Sequence, residues 1–180
     1  MAATTSRPSG ATATFAEGME PKGSGQGGCR DEVDLDKANV YSRRHCSGDW
    51  CVAIYDYYFE KDVALSTDTG GHRHDWEHIA VWTRGSTVEY VAASAHGGYH
   101  VKSRKDVLFS YDQDGEHPLM VYHKDGASTH AFRFATAKDV AKVENRKGVF
   151  WRGILVGWEG FPNVGLRDAL MGHNWGGGQA

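Results

Sequence analysis

Residues 71–83, GHRHDWEHIAVWT, change character half-way: two histidines, an arginine and two carboxylates crowd into 71–77, and an apolar run follows. The apolar run reads as a β-strand. If the strand begins at Asp75, a side-chain period of two puts Asp75, Glu77, Ile79 and Val81 on one face, and Trp76, His78, Ala80 and Trp82 on the other. Asp75 and Glu77 then point the same way, about 6.5–7 Å apart along the strand. Two carboxylates that close repel each other unless positive charge sits between them, and a divalent cation meets that need. Oxygen ligands suit Mg²⁺ or Ca²⁺, Mn²⁺ is accommodated too, and an imidazole widens the choice toward transition metals. His72 or His74, just after Gly70 and Gly71, can close over the same point. Asp62 ends the preceding strand-like run, and hairpin pairing would bring it near. The competing reading of the same residues is a solvated loop with a salt bridge between Arg73 and Glu77.

The 180-residue chain suits one domain with a sizeable core. Aromatic content of 12% and 23 glycines lean toward strands and turns rather than a helical bundle. A net charge of −3, with Lys and Arg spread singly, gives no basic footprint, so nucleic acid is excluded as an expected partner. No apolar stretch reaches the roughly 20 residues that span a bilayer, so any action on a membrane falls to a folded surface. Residues 1–28 are rich in Ser, Thr, Gly, Ala and Pro and read as a flexible lead-in, at most extended against the body. They hold no apolar core of a signal peptide, so no export signal is visible. Strand-like runs follow at 51–59, 77–83, 88–95, 119–123, 130–135 and 149–157, with short helices at 137–144 and 163–171, the latter capped by Asn163. Strands at this spacing predict an antiparallel β-sandwich with a few short flanking helices. Of three cysteines, Cys46 and Cys51 bracket the turn-like Ser-Gly-Asp-Trp and can face each other across a tight hairpin, leaving Cys29 over. Three reduced thiols are the alternative.

Other chemistry is sparse. There is no G-x-S-x-G, P-loop or H-E-x-x-H. His72-x-His74-x2-Glu77 resembles a cupin metal motif one residue short, which makes a metal-dependent cupin-like or polysaccharide-acting enzyme the enzymatic alternative. His96 and His130 each end or begin a strand and are ambiguous singly. An enzyme needs a general acid or base beyond the ligands. Only His96, His130 and scattered carboxylates offer one, and none forms a recognisable pair, so binding rather than catalysis is expected.

GHRHDWE at 71–77 matches in full the signature heptapeptide of the necrosis- and ethylene-inducing peptide-like proteins, and the chain resembles that family. The segment 52–62, VAIYDYYFEKD, and the blocks at 94–99, 121–126, 160–162 and 166–168 look familiar in the same order. The resemblance runs from about Gly28 to Trp175. It implies a single domain over 29–180, incomplete at both ends, with the β-sandwich of actinoporins and some fungal lectins. It implies one divalent cation in a surface cavity, held by Asp62, His72, Asp75 and Glu77. His130 matches a further cavity histidine acting through water, and His96, Arg73, His74 and Trp76 are expected around the same cavity. Cys46–Cys51 is similar to the additional disulfide of one subgroup. Asp56 stands where the family more often has a small or neutral residue, and no upstream cysteine is present to pair with Cys29. The function implied is that of a secreted, monomeric cytolysin and virulence factor. It would bind the sugar head groups of glycosyl inositol phosphoryl ceramides in the outer leaflet of plant plasma membranes. Plant immune receptors would perceive it through the region 52–77. A non-toxic, degenerate member of the family is the alternative.

Overall fold

The computed structural model describes residues 15–24, 32–64, 70–158, 161 and 164–175. Ten strands and three short helices follow in the order α1 (Glu32–Lys37), β1 (Asn39–Ser47), β2 (Trp50–Val63), β3 (Gly71–Arg84), β4 (Thr87–Ala95), β5 (Gly98–Ser103), β6 (Phe109–Asp112), β7 (Gly115–Pro118), β8 (Met120–Lys124), β9 (His130–Phe134), α2 (Ala137–Ala141), β10 (Ile154–Gly157) and α3 (Val164–Gly172). Six strands form one sheet in the order β10-β1-β2-β3-β4-β5. Every pairing in it is antiparallel except β1 with β10. The hairpins β6–β7 and β8–β9 make the second layer of the expected sandwich.

Alternation along β2 and β3 feeds two cores at once. Phe59, Ile79 and Val81 join Val91 and Ala93 of β4, Val107 of the segment before β6, and Phe132 and Phe134 of the second layer, with Tyr55, Tyr57 and Tyr122 packed at the margin. Residues of opposite parity, Tyr58 and Trp76, meet Tyr41, Leu170 and Trp175 on the other face, where α3 and the segment after it pack. Each such aromatic or aliphatic side chain contributes on the order of 1.5–3 kcal/mol by leaving water. Burial on both faces is why 71–83 holds so few exposed positions.

The edges differ from the sequence reading. β2 and β3 are 14 residues each and extend past the apolar runs into the charged cluster. β1 is a strand although it reads NVYSRRHCS, because hairpin pairing with β2 supplies its hydrogen bonds while its outer half stays in water. Of 149–157, only Ile154–Gly157 pairs as a strand. Trp151 upstream donates its indole N–H to the Leu35 carbonyl instead (2.7 Å). α2 ends at Ala141 rather than 144 because Lys142 turns extended. Residues 15–24 of the lead-in do lie against the body, as that reading allowed: Met19 N donates to Glu60 O (2.7 Å), and Phe15 stacks on His173 at 4.3 Å. Cys46 and Cys51 sit directly opposite across the hairpin and are bonded. Cys29, Asn163 and the remainder of the lead-in lie outside the described residues. Among the described residues, no helix is long and apolar enough to cross a membrane.

Strand β9, which delivers His130, is locked to α2. Arg133 donates to both carboxylate oxygens of Asp139 (2.7 and 2.8 Å), and Asp139 also accepts from the N–H and hydroxyl of Thr136. Arg133, then Thr136, hold the Asp139 carboxyl well below its usual range. Its stabilising effect is therefore present above the unfolded value near 3.8 and is lost as pH falls below it. Asp139→Asn is expected to lower stability by about 1–2 kcal/mol at pH 7. Urea unfolding of the two proteins should differ at pH 7, and the difference should shrink steadily as pH falls below about 4.

Candidate metal centre

Pairing of β2 with β3 sets Asp62 opposite His72 and Phe59 opposite Asp75. Strict alternation puts His72 and Asp75 on opposite faces. Instead, His72 Nε2 lies 3.8 Å from Asp75 Oδ1 and 4.0 Å from Asp62 Oδ2. His74 between them has φ +65°, left-handed backbone that is uncommon outside glycine, and this resets the alternation. Its ring is held on the far face: the Tyr58 hydroxyl and His74 Nδ1 are hydrogen-bonded (2.6 Å), and Trp175 meets the ring edge-on at 5.2 Å. Burial lowers the His74 pKa, which favours the neutral ring in this aromatic setting. Gly71 has φ +122°, and a Cβ there would fall 2.2 Å from the Asp62 carbonyl, so the Asp62–His72 approach requires glycine.

Three nearly unexposed carboxylates share this corner: Asp62 (1%), Asp75 (6%) and Glu77 (7%). Each has a dedicated donor. Both Asp62 oxygens accept from the His130 N–H (2.9 Å each), and Oδ1 also pairs with His130 Nδ1 (2.7 Å). Asp75 Oδ2 accepts from the Tyr122 hydroxyl (2.8 Å), and Tyr122 is clamped by stacking on Phe59 at 3.6 Å and on His130 at 5.0 Å. Glu77 Oε2 accepts from the Ser94 hydroxyl, which itself accepts from His78 N (2.7 Å). These bonds do not cancel the cost of burial. Burial, then the charge of Asp62, pushes the Asp75 carboxyl up; burial, then Asp75, pushes Glu77 up to about 7. Burial beside Asp75 drives the Tyr122 phenol far upward, so it remains a donor.

The donor set fits a divalent cation. Asp62, His72 and Asp75 each offer one ligand atom, all within 4.8 Å of one another. His72 Nδ1 donates to the His74 carbonyl (2.6 Å), which leaves the Nε2 lone pair facing the two carboxylates in the neutral ring. The His72–carboxylate distances are too long for hydrogen bonds, so this imidazole does not satisfy the acids directly. Glu77 lies outside the three-group set and is tethered by Ser94, but it lines the same cavity. That cavity, about 360 Å³, opens where β3 runs past the end of its pairing with β4, which starts at Ile79.

The other expected site residues divide. His130 lines the cavity and bonds to Asp62 through its ring Nδ1 (2.7 Å). His96 is at the rim with φ +50°, and its two ring nitrogens reach Asp125 (3.1 Å) and Thr129 (3.3 Å), tying the β4–β5 turn to the β8–β9 turn. Trp76 borders the cavity, but its ring packs against Tyr41, Tyr58 and Trp175, and its Nε1 is buried with no partner among the described residues. Arg73 and His74 do not line it. Arg73 pairs with Glu20 and donates to the Glu17 carbonyl (3.2 Å), so its acid is not Glu77 either. Ser94, Thr129 and the exposed Tyr99 also line the cavity, and Tyr122 bonds to Asp75; nothing in the sequence singles them out as site residues. Position in a strand gives no sign that a tyrosine or serine will meet a carboxylate from another strand.

Comparison with known proteins places these features in a family context. A family model for "Necrosis inducing protein (NPP1)" matches residues 9–180. The chain is similar to "NLP effector protein 10" of Phytophthora capsici, with 31% identity over 166 residues. That alignment covers 88% of this chain and 62% of the relative, so the chain spans less than two thirds of the relative's length. A solved structure described as "Toxin fold as basis for microbial attack and plant defense" superimposes with a TM-score of 0.70 at 29% identity, covering 91% of this chain and 69% of that one. NLPPya in complex with mannosamine gives the same TM-score of 0.70 at 27% identity and the same coverage, 91% and 69%.

Two measurements test the centre. In calorimetric titration with Ca²⁺, Mg²⁺ and Mn²⁺, Asp75→Asn should weaken binding by at least about tenfold and Glu77→Gln by less; equal responses in these variants and the wild type would remove the site. The second uses chelator-treated protein. Because the folded value of Glu77 is raised, the folded state binds the extra proton between the ordinary 4.5 and about 7. Stability of the cation-free protein should therefore fall as pH rises through that window. Thermal melts should show this fall in EDTA and a smaller one at saturating cation.

Proposed function

Because this chain belongs to the necrosis inducing protein (NPP1) family, we propose that it binds membrane sugar head groups through a divalent cation held by Asp62, His72 and Asp75, with Glu77 beside it. Mg²⁺ or Ca²⁺ is the ion, with Mn²⁺ able to substitute. The observation that carries this reading is the meeting of two buried carboxylates with a tautomer-locked imidazole inside an open cavity. A bound cation offsets the repulsion of the carboxylates and offers a Lewis-acidic point to sugar hydroxyls. His96, Thr129 and the exposed edge of Tyr99 supply hydrogen-bonding and aromatic contacts around it. The mannosamine carried by NLPPya supports sugar as the ligand class.

The head group is that of the glycosyl inositol phosphoryl ceramides of the plant plasma-membrane outer leaflet. The protein reaches it as a secreted monomer and acts as a cytolysin, and region 52–77 is what a plant immune receptor perceives. Its role is binding rather than turnover. The raised proton affinity of Glu77 belongs to the cation-free cluster, and a cation beside it returns the carboxyl to its charged form.

Dye leakage from vesicles containing plant inositol-phosphoceramide lipids tests this, with and without EDTA and with Asp75→Asn. Leakage should require the lipid and the cation, and fall at least tenfold in the variant. Lipid binding without leakage would identify a non-toxic member acting as an immune pattern alone. Turnover of a cell-wall polysaccharide without lipid binding would replace this reading with the enzymatic one.

A further inference from the structure

Far from the cavity, the tip of the β1–β2 hairpin joins a disulfide to a cation. Cys46 and Cys51 are directly opposed in the register. Cys46 is exposed and Cys51 half-buried. Arg44 reaches diagonally across the strands, and its guanidinium donates to Cys51 Sγ at 3.1 Å. Across the pair, Arg44 faces Ala53, which carries no charge. The acid of the turn, Asp49, is engaged with Arg84 (3.7 Å). Arg43 is turned away over the Trp158 ring at 5.7 Å. Among the described residues, no carboxylate lies within ion-pair distance of Arg44.

From this geometry we propose that Cys46–Cys51 is a thiol–disulfide exchange site for anionic low-molecular-weight thiols of the glutathione type, with Cys46 the attacked sulfur and Cys51 the leaving group. The thiolate bonds to Cys46 Sγ as the Cys46–Cys51 bond breaks, and the electron pair leaves on Cys51. Negative charge develops on the sulfur that Arg44 already contacts, so the cation stabilises the departing thiolate where it forms. A second thiolate attacks the external sulfur of the mixed disulfide, releasing the oxidised thiol dimer and a Cys46 thiolate. Two protons complete the products: two protein thiols and one molecule of oxidised reagent. Exposure and charge select the same direction, because attack proceeds opposite the leaving sulfur and Cys46 is the more exposed of the pair.

The opened hairpin keeps its shape. The β1–β2 ladder continues to Ser47↔Trp50, and Trp50 remains stacked on Tyr90 at 6.4 Å under Arg84. Eleven residue steps along β2 separate Cys51 from Asp62, roughly 35 Å of strand, so exchange should leave cation binding unchanged.

The test incubates the full chain with about 10 mM glutathione at constant pH, followed by acid quench, alkylation and peptide mapping by mass spectrometry. The mixed disulfide is expected on Cys46. Arg44→Ala should slow opening about fivefold, and Arg44→Lys, which keeps the charge, should stay within about twofold of wild type. Circular dichroism and cation titration should be the same in all three proteins. Glutathione found on Cys51, equal rates in Arg44→Ala and wild type, or a disulfide that stays closed would each overturn the proposal.

Discussion

Three carboxylates buried within one corner of a β-sandwich are the constraint around which the rest of this molecule is arranged. Ionised groups at this depth repel one another with little water to screen them, so the fold has to supply donors or a cation. Donors come from three different strands: His130 from β9, Tyr122 from β8 and Ser94 from β4. Each is itself fixed by stacking or by a backbone hydrogen bond. The second layer of the sandwich thus does more than cover apolar surface. Its inner hairpin carries the groups that orient Asp62 and Asp75.

A backbone device makes the convergence geometrically possible. A regular pleat would send His72 to the opposite side of the sheet from Asp75. The left-handed His74 reverses that assignment, and Gly71 lets the strands approach where a side chain would collide. The conformation at His74 is stabilised from outside the site. Tyr58 and Trp175 grip its ring, and Gly18 of the packed amino-terminal segment lies so close that a Cβ there would meet the ring at 2.7 Å. The face away from the cavity thereby sets the geometry of the face that lines it.

The opening in the sheet follows from strand lengths. Residues 71–78 of β3 lie beyond its pairing with β4, which starts at Ile79, and the β4–β5 turn bends across the gap. Ladder hydrogen bonds that would close a longer sheet are replaced there by the contact of Ser94 with His78 and Glu77. A sheet closed at this edge would be more regular and would have no cavity.

Much of this was legible in the chain. Alternation in 71–83 placed Asp75 and Glu77 on one face with Ile79 and Val81, hairpin pairing of the run that ends at Asp62 brought that residue near them, and GHRHDWE carried the family. The Cys46–Cys51 hairpin was readable because six consecutive residues suffice to close it. These are local signals, fixed by side-chain period and by short-range chain geometry. What tertiary structure decided was every relation that depends on strands distant in sequence. Arg73 took Glu20 rather than Glu77, and His74 left the cavity for an aromatic pocket built partly from Trp175. Tyr122 and Ser94 became partners of the carboxylates across 47 and 17 residues of chain. The polar β1 became a strand because β2 was there to pair with it. A hydrogen bond or ion pair is satisfied by whichever group packing brings within about 3 Å, and alternation names the face a residue occupies without naming what will stand opposite it.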